Sequence, residues 1–417
     1  MLSWEYPPRV VGGLGRHVAA LSRTLARQGH DVHVVTRDHP DAPAEEVLEG
    51  VHVVRVSEAP PVIPFDDLVP WVLAFNNRVT AAAMKVLRTH DVDVIHAHDW
   101  LVAYAAAACK DAWGLPVVGT IHATEYGRHQ GYLPGPMNKL IHQVEWWLTY
   151  EARRVITCSD YMRQQVGDIF QLPQGKVDVV PNAVATRDFA IPPDEVAEFR
   201  AQVTPAGEKM VLFAGRLEYE KGVQTVLHAL EHVRDVVGDV VFYVAGVGTY
   251  SDELKRLVDE LDLGDHVRFT GFLEDHDLRL HYAAADVAVA PSIYEPFGLV
   301  AVEAMACGTP VVVGDTGGLR EIVEDGHGLR FEPQDVGALA EQLIAVLTDT
   351  DLAAQLVAKG RERIQTHYDW STVAERTHDV YARAIQEELA LAEPERRPAL
   401  RDLLRAEPIL ELDVHPN

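Results

Sequence analysis

Short runs rich in valine and isoleucine alternate with longer stretches of helical period along most of this chain. Segments 31–36 (DVHVVT), 51–56 (VHVVRV), 92–97 (VDVIHA) and 116–121 (PVVGTI) predict buried parallel strands, and 153–159 (RRVITCS) and 176–182 (KVDVVPN) continue the series. The alternation breaks over 183–205, where two adjacent prolines interrupt it, and then restarts. The second set is 209–215 (KMVLFAG), 239–246 (DVVFYVAG), 266–271 (HVRFTG), 286–292 (DVAVAPS) and 309–315 (TPVVVGD). Strands alternating with helices predict an α/β fold, and two sets predict two doubly wound, Rossmann-like domains facing each other across a cleft. The expected division is 1–183, 184–369, a helix over 370–391 that carries Val373, Val380, Tyr381 and Ile385 as its apolar stripe, and a charged tail over 392–417. The tail reads as disordered or loosely docked. Only about four residues precede the first turn (MLSWEYPP), too few for a normal opening strand, so a natural start a few residues upstream is expected.

Composition narrows the partners. A length of 417 residues with 47% hydrophobic residues supplies core enough for two domains. The formal charge of −26 disfavours a nucleic acid partner and means that an anionic substrate needs a local basic pocket. Cys109, Cys158 and Cys307 are far apart, which fits a reducing compartment and no metal cluster. No apolar run of about 18 residues and no signal-peptide pattern is present, so a cytoplasmic protein is expected.

Five segments could carry chemistry. In 292–310 (SIYEPFGLVAVEAMACGTP), Pro296 and Gly298 fit a helix start, and Gly308 with Pro310 fits its end. The amides of Phe297, Gly298 and Leu299 would then offer an anion site. Glu303, one turn below Leu299, suits the vicinal hydroxyls of a ribose, and Glu295 in the preceding loop is free for another sugar. The competing reading is a capped surface helix with incidental acids. In the following segment, Gly317 and Gly318 permit close backbone approach to a ligand, or form a plain strand–helix turn. In 213–223 (FAGRLEYEKGV), Arg216 and Lys221 stand at a strand carboxyl end, where they could bind a diphosphate or belong to a mixed-charge loop. In 12–18 (GGLGRHV), Gly12, Gly13 and Gly15 open a helix, as a tight turn or as backbone approaching a donor phosphate or sugar.

In 96–100 (HAHDW), His96 and His98 project to the same side of a strand. His98 could bond a sugar hydroxyl, assist proton movement or be structural; no third ligand is spaced for a metal. In 120–132 (TIHATEYGRHQGY), His122, Thr124, Glu125, Arg128 and His129 form a polar loop suited to a hydroxyl-rich acceptor, or an ordinary loop. Arg16, Arg23 and Arg27 fall on roughly one helical face, which suits solvent or anionic lipid.

Taken in order, GGLG, HAHDW, GRLEYEKG and EPFGLVAVEA resemble glycosyltransferase family four, the retaining GT-B enzymes, to about residue 391. The resemblance implies that Arg216 and Lys221 bind the donor diphosphate and that Glu303 holds the ribose. It further implies that Glu295, with the amides of Phe297 to Leu299, holds the donor sugar, that His98 faces the transferring sugar, and that no metal or other cofactor is needed. The helix after Trp370 would cross back to the first domain. Segments 3–18, 94–103, 120–132 and 215–223 are similar to those of actinobacterial glycogen-synthase-like α-1,4-glucosyltransferases, which implies UDP-glucose or ADP-glucose as donor and a glucan as acceptor. Alternatives are a lipid or small-molecule acceptor, a sugar-nucleotide epimerase, or a non-catalytic sensor. Membrane association is not expected, and the oligomeric state is left open.

Overall fold

A computed structural model describes residues 1–10, 12–57 and 68–391; the tail expected to be disordered lies outside the described residues. Residues 32–179 contribute β1 (Val32–Arg37), β2 (Glu45–Leu48), β3 (Val51–Val56), β4 (Ile95–His98), β5 (Val117–Ile121), β6 (Arg154–Thr157) and β7 (Val177–Val179). They run in the orders β1-β3-β2 and β4-β5-β6-β7. Leu2 joins the two groups, bridging in parallel to Val35 of β1 and Ala97 of β4. Its amide donates to the His96 carbonyl at 2.7 Å and its carbonyl accepts from the His98 amide at 3.0 Å. Three residues thus do the work of the opening strand, because both neighbours supply complete ladder partners.

The expected strands are present, but several are shorter than their apolar runs. The run over 92–97 becomes a strand only at Ile95, and the half-buried β7 spans three residues. Strand β2 was not expected: Glu45 and Glu46 hide it, and it pairs antiparallel to β3 as an exposed edge. Helices α1 (Gly13–Arg27), α2 (Leu68–Thr89), α3 (Ala103–Trp113), α4 (Glu125–Arg128), α5 (Pro136–Glu151) and α6 (Asp160–Phe170) complete this half.

The second half has β8 (Lys209–Ala214), β9 (Val240–Ala245), β10 (Val267–Gly271), β11 (Val287–Ala290), β12 (Val311–Gly314) and β13 (Leu329–Phe331). Every pairing is parallel, in the order β10-β9-β8-β11-β12-β13. This is the doubly wound order in which the first strand borders the point of reversal. Helices α7 (Pro193–Val203), α8 (Val223–Val237), α9 (Ser251–Glu260), α10 (Asp275–Ala284), α11 (Leu299–Cys307), α12 (Gly317–Ile322), α13 (Val336–Thr348) and α14 (Thr350–His367) surround it.

Helix α15 (Trp370–Leu391) returns to the first sheet. Val373, Val380 and Ala384 pack on Val118, Ile156 and Val180. Ala384 is fully buried where Ile385 was expected to be, because the 3.6-residue period places residues 373, 377, 380 and 384 on one face. The Val184 amide donates to the Tyr368 carbonyl at 3.0 Å, tying the crossing segment to the linker. No helix among the described residues is long and apolar enough to cross a membrane. Each arginine of the α1 face has a partner: Arg16 pairs with Asp275, Arg23 with Glu49, and Arg27 donates to Thr24.

Leu2 is 3% exposed in the slot between β1 and β4. Leu2→Ala should lower the unfolding free energy by about 2–5 kcal/mol. Urea titration checks this, and a loss below about 0.5 kcal/mol would mean that the slot does not hold the two strand groups together.

Candidate functional site

At the reversal point of the second sheet, the carboxyl ends of β8 and β11 lie side by side. Beyond β8, Gly222 takes φ +74°, and a Cβ there would stand 2.0 Å from the Pro291 carbonyl oxygen. That close approach carries the loop after β8 against the loop after β11. Lys221 Nζ meets Glu295 Oε2 at 2.8 Å, with both side chains largely buried. Lys221 and Glu295 were assigned to different parts of a ligand from the sequence; here they are a pair. Arg216 is 61% exposed and, among the described residues, pairs loosely with Glu220 at 3.8 Å, so its guanidinium faces solvent.

Helix α11 starts after Gly298 at φ +114°, with no side-chain cap on its first amides. A Cβ on Gly298 would lie 2.5 Å from Leu319 Cδ2, so only glycine fits. The amides of Phe297, Gly298 and Leu299 gather at this helix start, as expected. Gly317 and Gly318 have a different role from the one expected. A Cβ on Gly317 would sit 2.0 Å from the Glu295 carbonyl oxygen and one on Gly318 2.5 Å from that of Phe297. The Gly318 amide also donates to Glu295 O at 3.0 Å. The close backbone approach is therefore to the Glu295–Phe297 loop, which it fixes. Glu303 accepts from the Tyr282 hydroxyl at 3.2 Å. Burial raises its carboxyl to about 7, opposed by the Arg16 charge.

The reversal point of the first sheet lies between the Leu2 segment and β4, and it faces α11. Gly12 caps α1, and its amide donates to Glu5 Oε2 at 3.2 Å. A Cβ on Gly13 would stand 3.3 Å from Leu299 Cδ1, and one on Gly15 3.1 Å from Glu5 Cβ. The glycine turn thus brings backbone to the opposite domain. Beneath it, His98 Nδ1 faces His122 Nε2 at 3.3 Å. His17, which the sequence reading missed, has its ring centroid 4.8 Å from His122 and 5.7 Å from His98. It was legible in one respect: it lies one helical turn after Gly13, the glycine that touches the other domain. His17 Nδ1 meets Asn182 Oδ1 at 2.7 Å. Burial holds His17 and His98 well below the usual histidine range and lowers His122 to about 4, so all three are neutral near pH 7. His98 Nε2 is buried with no hydrogen-bond partner. His96 is structural, held between Thr120 Oγ1 at 2.6 Å and Tyr381 Oη at 2.7 Å.

The acceptor-side candidates divide. Thr124 is fully buried; it caps α4 by accepting from the Gly127 amide at 2.9 Å and donates to Gln165 at 2.8 Å. Glu125 is occupied by Asn138 Nδ2 at 2.6 Å and His129 Nε2 at 3.2 Å. Both side chains have partners within the first domain, Gln165 on α6 and Asn138 on α5 among them, because a buried polar group must find partners. His122 lines the histidine group, and Arg128 keeps 41% of its side chain exposed. Contacts between the halves surround the site. Ser159 Oγ donates to Pro296 O at 2.6 Å, and Glu321 accepts the Asp160 and Tyr161 amides at 3.0 and 2.8 Å.

A positively charged edge, uncapped helix amides and a carboxylate meet neutral imidazoles and a glycine turn across the cleft, an arrangement fit for a ligand with an anionic and a hydroxyl-rich part. Comparison with known proteins agrees. Residues 11–188 match the family described as Glycosyltransferase Family 4, and residues 194–363 match Glycosyl transferases group 1. The chain is 39% identical to the glycogen synthase of Mycobacterium tuberculosis (strain ATCC 25618 / H37Rv), over 96% of each chain. It is 32% identical to the D-inositol 3-phosphate glycosyltransferase of Kineococcus radiotolerans, over 91% of this chain and 92% of that one. Its fold superposes on sucrose-phosphate synthase from Thermosynechococcus elongatus with a TM-score of 0.79 and 28% identity, over 93% of this chain and 98% of that one. The chain therefore belongs to the group 1, family 4 glycosyltransferases of GT-B fold and is a hexosyltransferase.

Proposed function

We propose that the protein is a retaining, metal-independent enzyme that moves glucose from UDP-glucose or ADP-glucose to the non-reducing end of an α-1,4-glucan. The observation that carries this reading is the near full-length similarity to a glycogen synthase, joined to a cleft whose two faces suit the two substrates. Arg216 and Lys221 take the diphosphate, Lys221 sharing its charge between Glu295 and the ligand. Glu303 accepts from the ribose hydroxyls. Glu295 and the amides of Phe297, Gly298 and Leu299 hold the donor sugar, and the backbone at Gly12, Gly13 and Gly15 closes over it. His98 meets the transferring sugar as a neutral hydrogen-bonding group, with His122 and Arg128 toward the acceptor.

The chemistry is positional and electrostatic. As the bond from the anomeric carbon to the diphosphate breaks, negative charge grows on the leaving oxygen. Arg216, Lys221 and the α11 start stabilise it. The acceptor hydroxyl attacks on the face the diphosphate leaves, and its proton passes to the departing phosphate. Closure of the cleft excludes water from the reacting centre.

Arg216→Ala and Lys221→Ala should each lower donor kcat/KM by about 10–150-fold, the equivalent of about 1.5–3 kcal/mol for a charged hydrogen bond. Unchanged steady-state donor kinetics in both variants would remove them from the donor site.

A second expectation concerns Glu303. Its carboxyl is raised to about 7, so it is mostly protonated below that pH and accepts well from ribose only above it. Affinity for free nucleoside diphosphate should fall as pH drops from 8 to 6. In Glu303→Gln the affinity should be weaker and flat over that range, whereas Glu295→Gln should chiefly impair transfer. Calorimetric titration separates the two roles, and a wild-type affinity that does not change with pH contradicts the assignment.

The acceptor is tested with purified protein, UDP-glucose or ADP-glucose, and three acceptor sets: maltooligosaccharides, inositol phosphate or another sugar phosphate, and phospholipid vesicles. Hexose ladders on maltooligosaccharides that an α-1,4-specific hydrolase removes are expected. Turnover with a phosphorylated small acceptor or lipid, and none with glucan, would replace the acceptor while leaving the transferase reading intact.

A further inference from the structure

At the amino-terminal ends of β1 and β3, on the opposite side of the sheet from the cleft, lies a second group of imidazoles. His33 of β1 and His52 of β3 are register partners, so their side chains leave the same face of the sheet side by side. Their rings stack with centroids 4.7 Å apart and planes 15° apart. Asp31, two residues before His33, shares that face. Its Oδ1 lies 3.2 Å from His33 Nε2 and 3.7 Å from His52 Nε2. His90, just past the end of α2, brings a third ring to 4.2 Å from His33. His90 Nδ1 is engaged with Thr89 Oγ1 at 2.8 Å, so this ring packs on the group from outside it.

We propose that Asp31, His33 and His52 form a zinc site that staples β1 to β3, with water completing the coordination. Four observations support it. The donor set, two imidazoles and one carboxylate, suits a borderline cation; it does not suit calcium or magnesium, which prefer oxygen ligands. With ligand bonds of about 2.0–2.1 Å, a tetrahedral site has ligand atoms about 3.3–3.4 Å apart. The two separations from Asp31 bracket that distance, and the three ligand atoms of Asp31, His33 and His52 lie within 4.8 Å of one another. His33 Nε2 is buried and, among the described residues, makes no well-aligned hydrogen bond, although Asp31 Oδ1 lies 3.2 Å away. A cation between the two would engage both. Finally, Asp31 and His52 keep 65% and 46% of their side chains exposed, so an ion can arrive from solvent and His52 can tilt to close the remaining gap.

The site stands away from the reacting groups, so it acts on stability. An ion that binds only the folded chain raises Tm by mass action. With free zinc at 100 times its Kd, the rise should be about 5–10 °C. The test uses the full chain, stripped with a chelator and titrated with zinc by calorimetry, with cobalt absorption reporting tetrahedral coordination. One equivalent should bind. His52→Ala and Asp31→Asn, both at exposed positions, should fold normally and lose about 10–100-fold in affinity, and with it about half to most of the Tm shift at the same free zinc.

The cleft trio His17, His98 and His122 is the competing place for an ion, since their ligand atoms also lie within 4.8 Å of one another. Zinc binding that survives in both surface variants but disappears in His122→Ala would overturn the proposal. So would the absence of saturable binding at 100 µM zinc in the wild-type chain.

Discussion

The cleft depends on a topological constraint that both halves share. In a doubly wound sheet, connections leave the two central strands in opposite directions, and the loops at their carboxyl ends cannot cover the crevice between them. In the second sheet that crevice lies between β8 and β11, and it collects Arg216, Lys221 and Glu295. In the first it lies between the Leu2 segment and β4, and it collects the Gly12–Gly15 turn and His98. The two crevices face each other, so residues nearly 300 positions apart become neighbours, as Gly13 and Leu299 are.

Within this frame, charge is managed locally. The chain as a whole carries −26, which opposes the approach of a nucleotide diphosphate. Screening confines exposed charges to about 8–10 Å at physiological ionic strength, so the nearest groups decide binding. On the proposed function, those groups are Arg216, the α11 start and a lysine already paired with Glu295. The pair keeps Lys221 oriented before a ligand arrives, at the cost of part of its charge. Glu303 adds little repulsion near neutral pH because burial keeps a large fraction of it protonated. The buried histidines add no positive charge, so they act by hydrogen bonding and shape.

Legibility in the sequence followed the range of the forces involved. The strand–helix alternation and the ends of α11 come from local preferences, and both were readable: Gly298 and Gly308 bracket the helix as their spacing suggested. What failed depended on partners distant in sequence. Gly317 and Gly318 looked like glycines that admit a ligand; the side on which a Cβ would stand is taken by the Glu295–Phe297 backbone. Thr124 and Glu125 looked free for an acceptor, but Gln165 and Asn138 claim them. Strand β2 was hidden because an exposed edge needs no apolar pattern. His17 was passed over because its significance comes only from His98 and His122, which arrive from two other strands.

The assembly of one site from two halves also bears on motion. The contacts that join them are both apolar and polar: Tyr294 meets Tyr161 edge-on with ring centroids 6.3 Å apart, and its hydroxyl donates to Gln165 Oε1 at 3.2 Å. Arg16 and Asp275 form a half-exposed ion pair at 2.6 Å, of a kind worth about 0.2–1 kcal/mol. Glu321 caps the start of α6 from across the cleft, and Ser159 donates to the carbonyl of Pro296. Contacts of this size can be broken to admit a substrate. On the proposed function, a donor that touches Arg216 on one side and the glycine turn on the other adds its own binding energy to the same closed arrangement. A few kilocalories per mole suffice to shift such an equilibrium by orders of magnitude, since about 5.5 kcal/mol takes it from 1:99 to 99:1. The two crevices already meet through the chain's own contacts, as Gly13 and Leu299 show, so on the proposed function bound substrate adds its contacts to an arrangement the chain itself adopts.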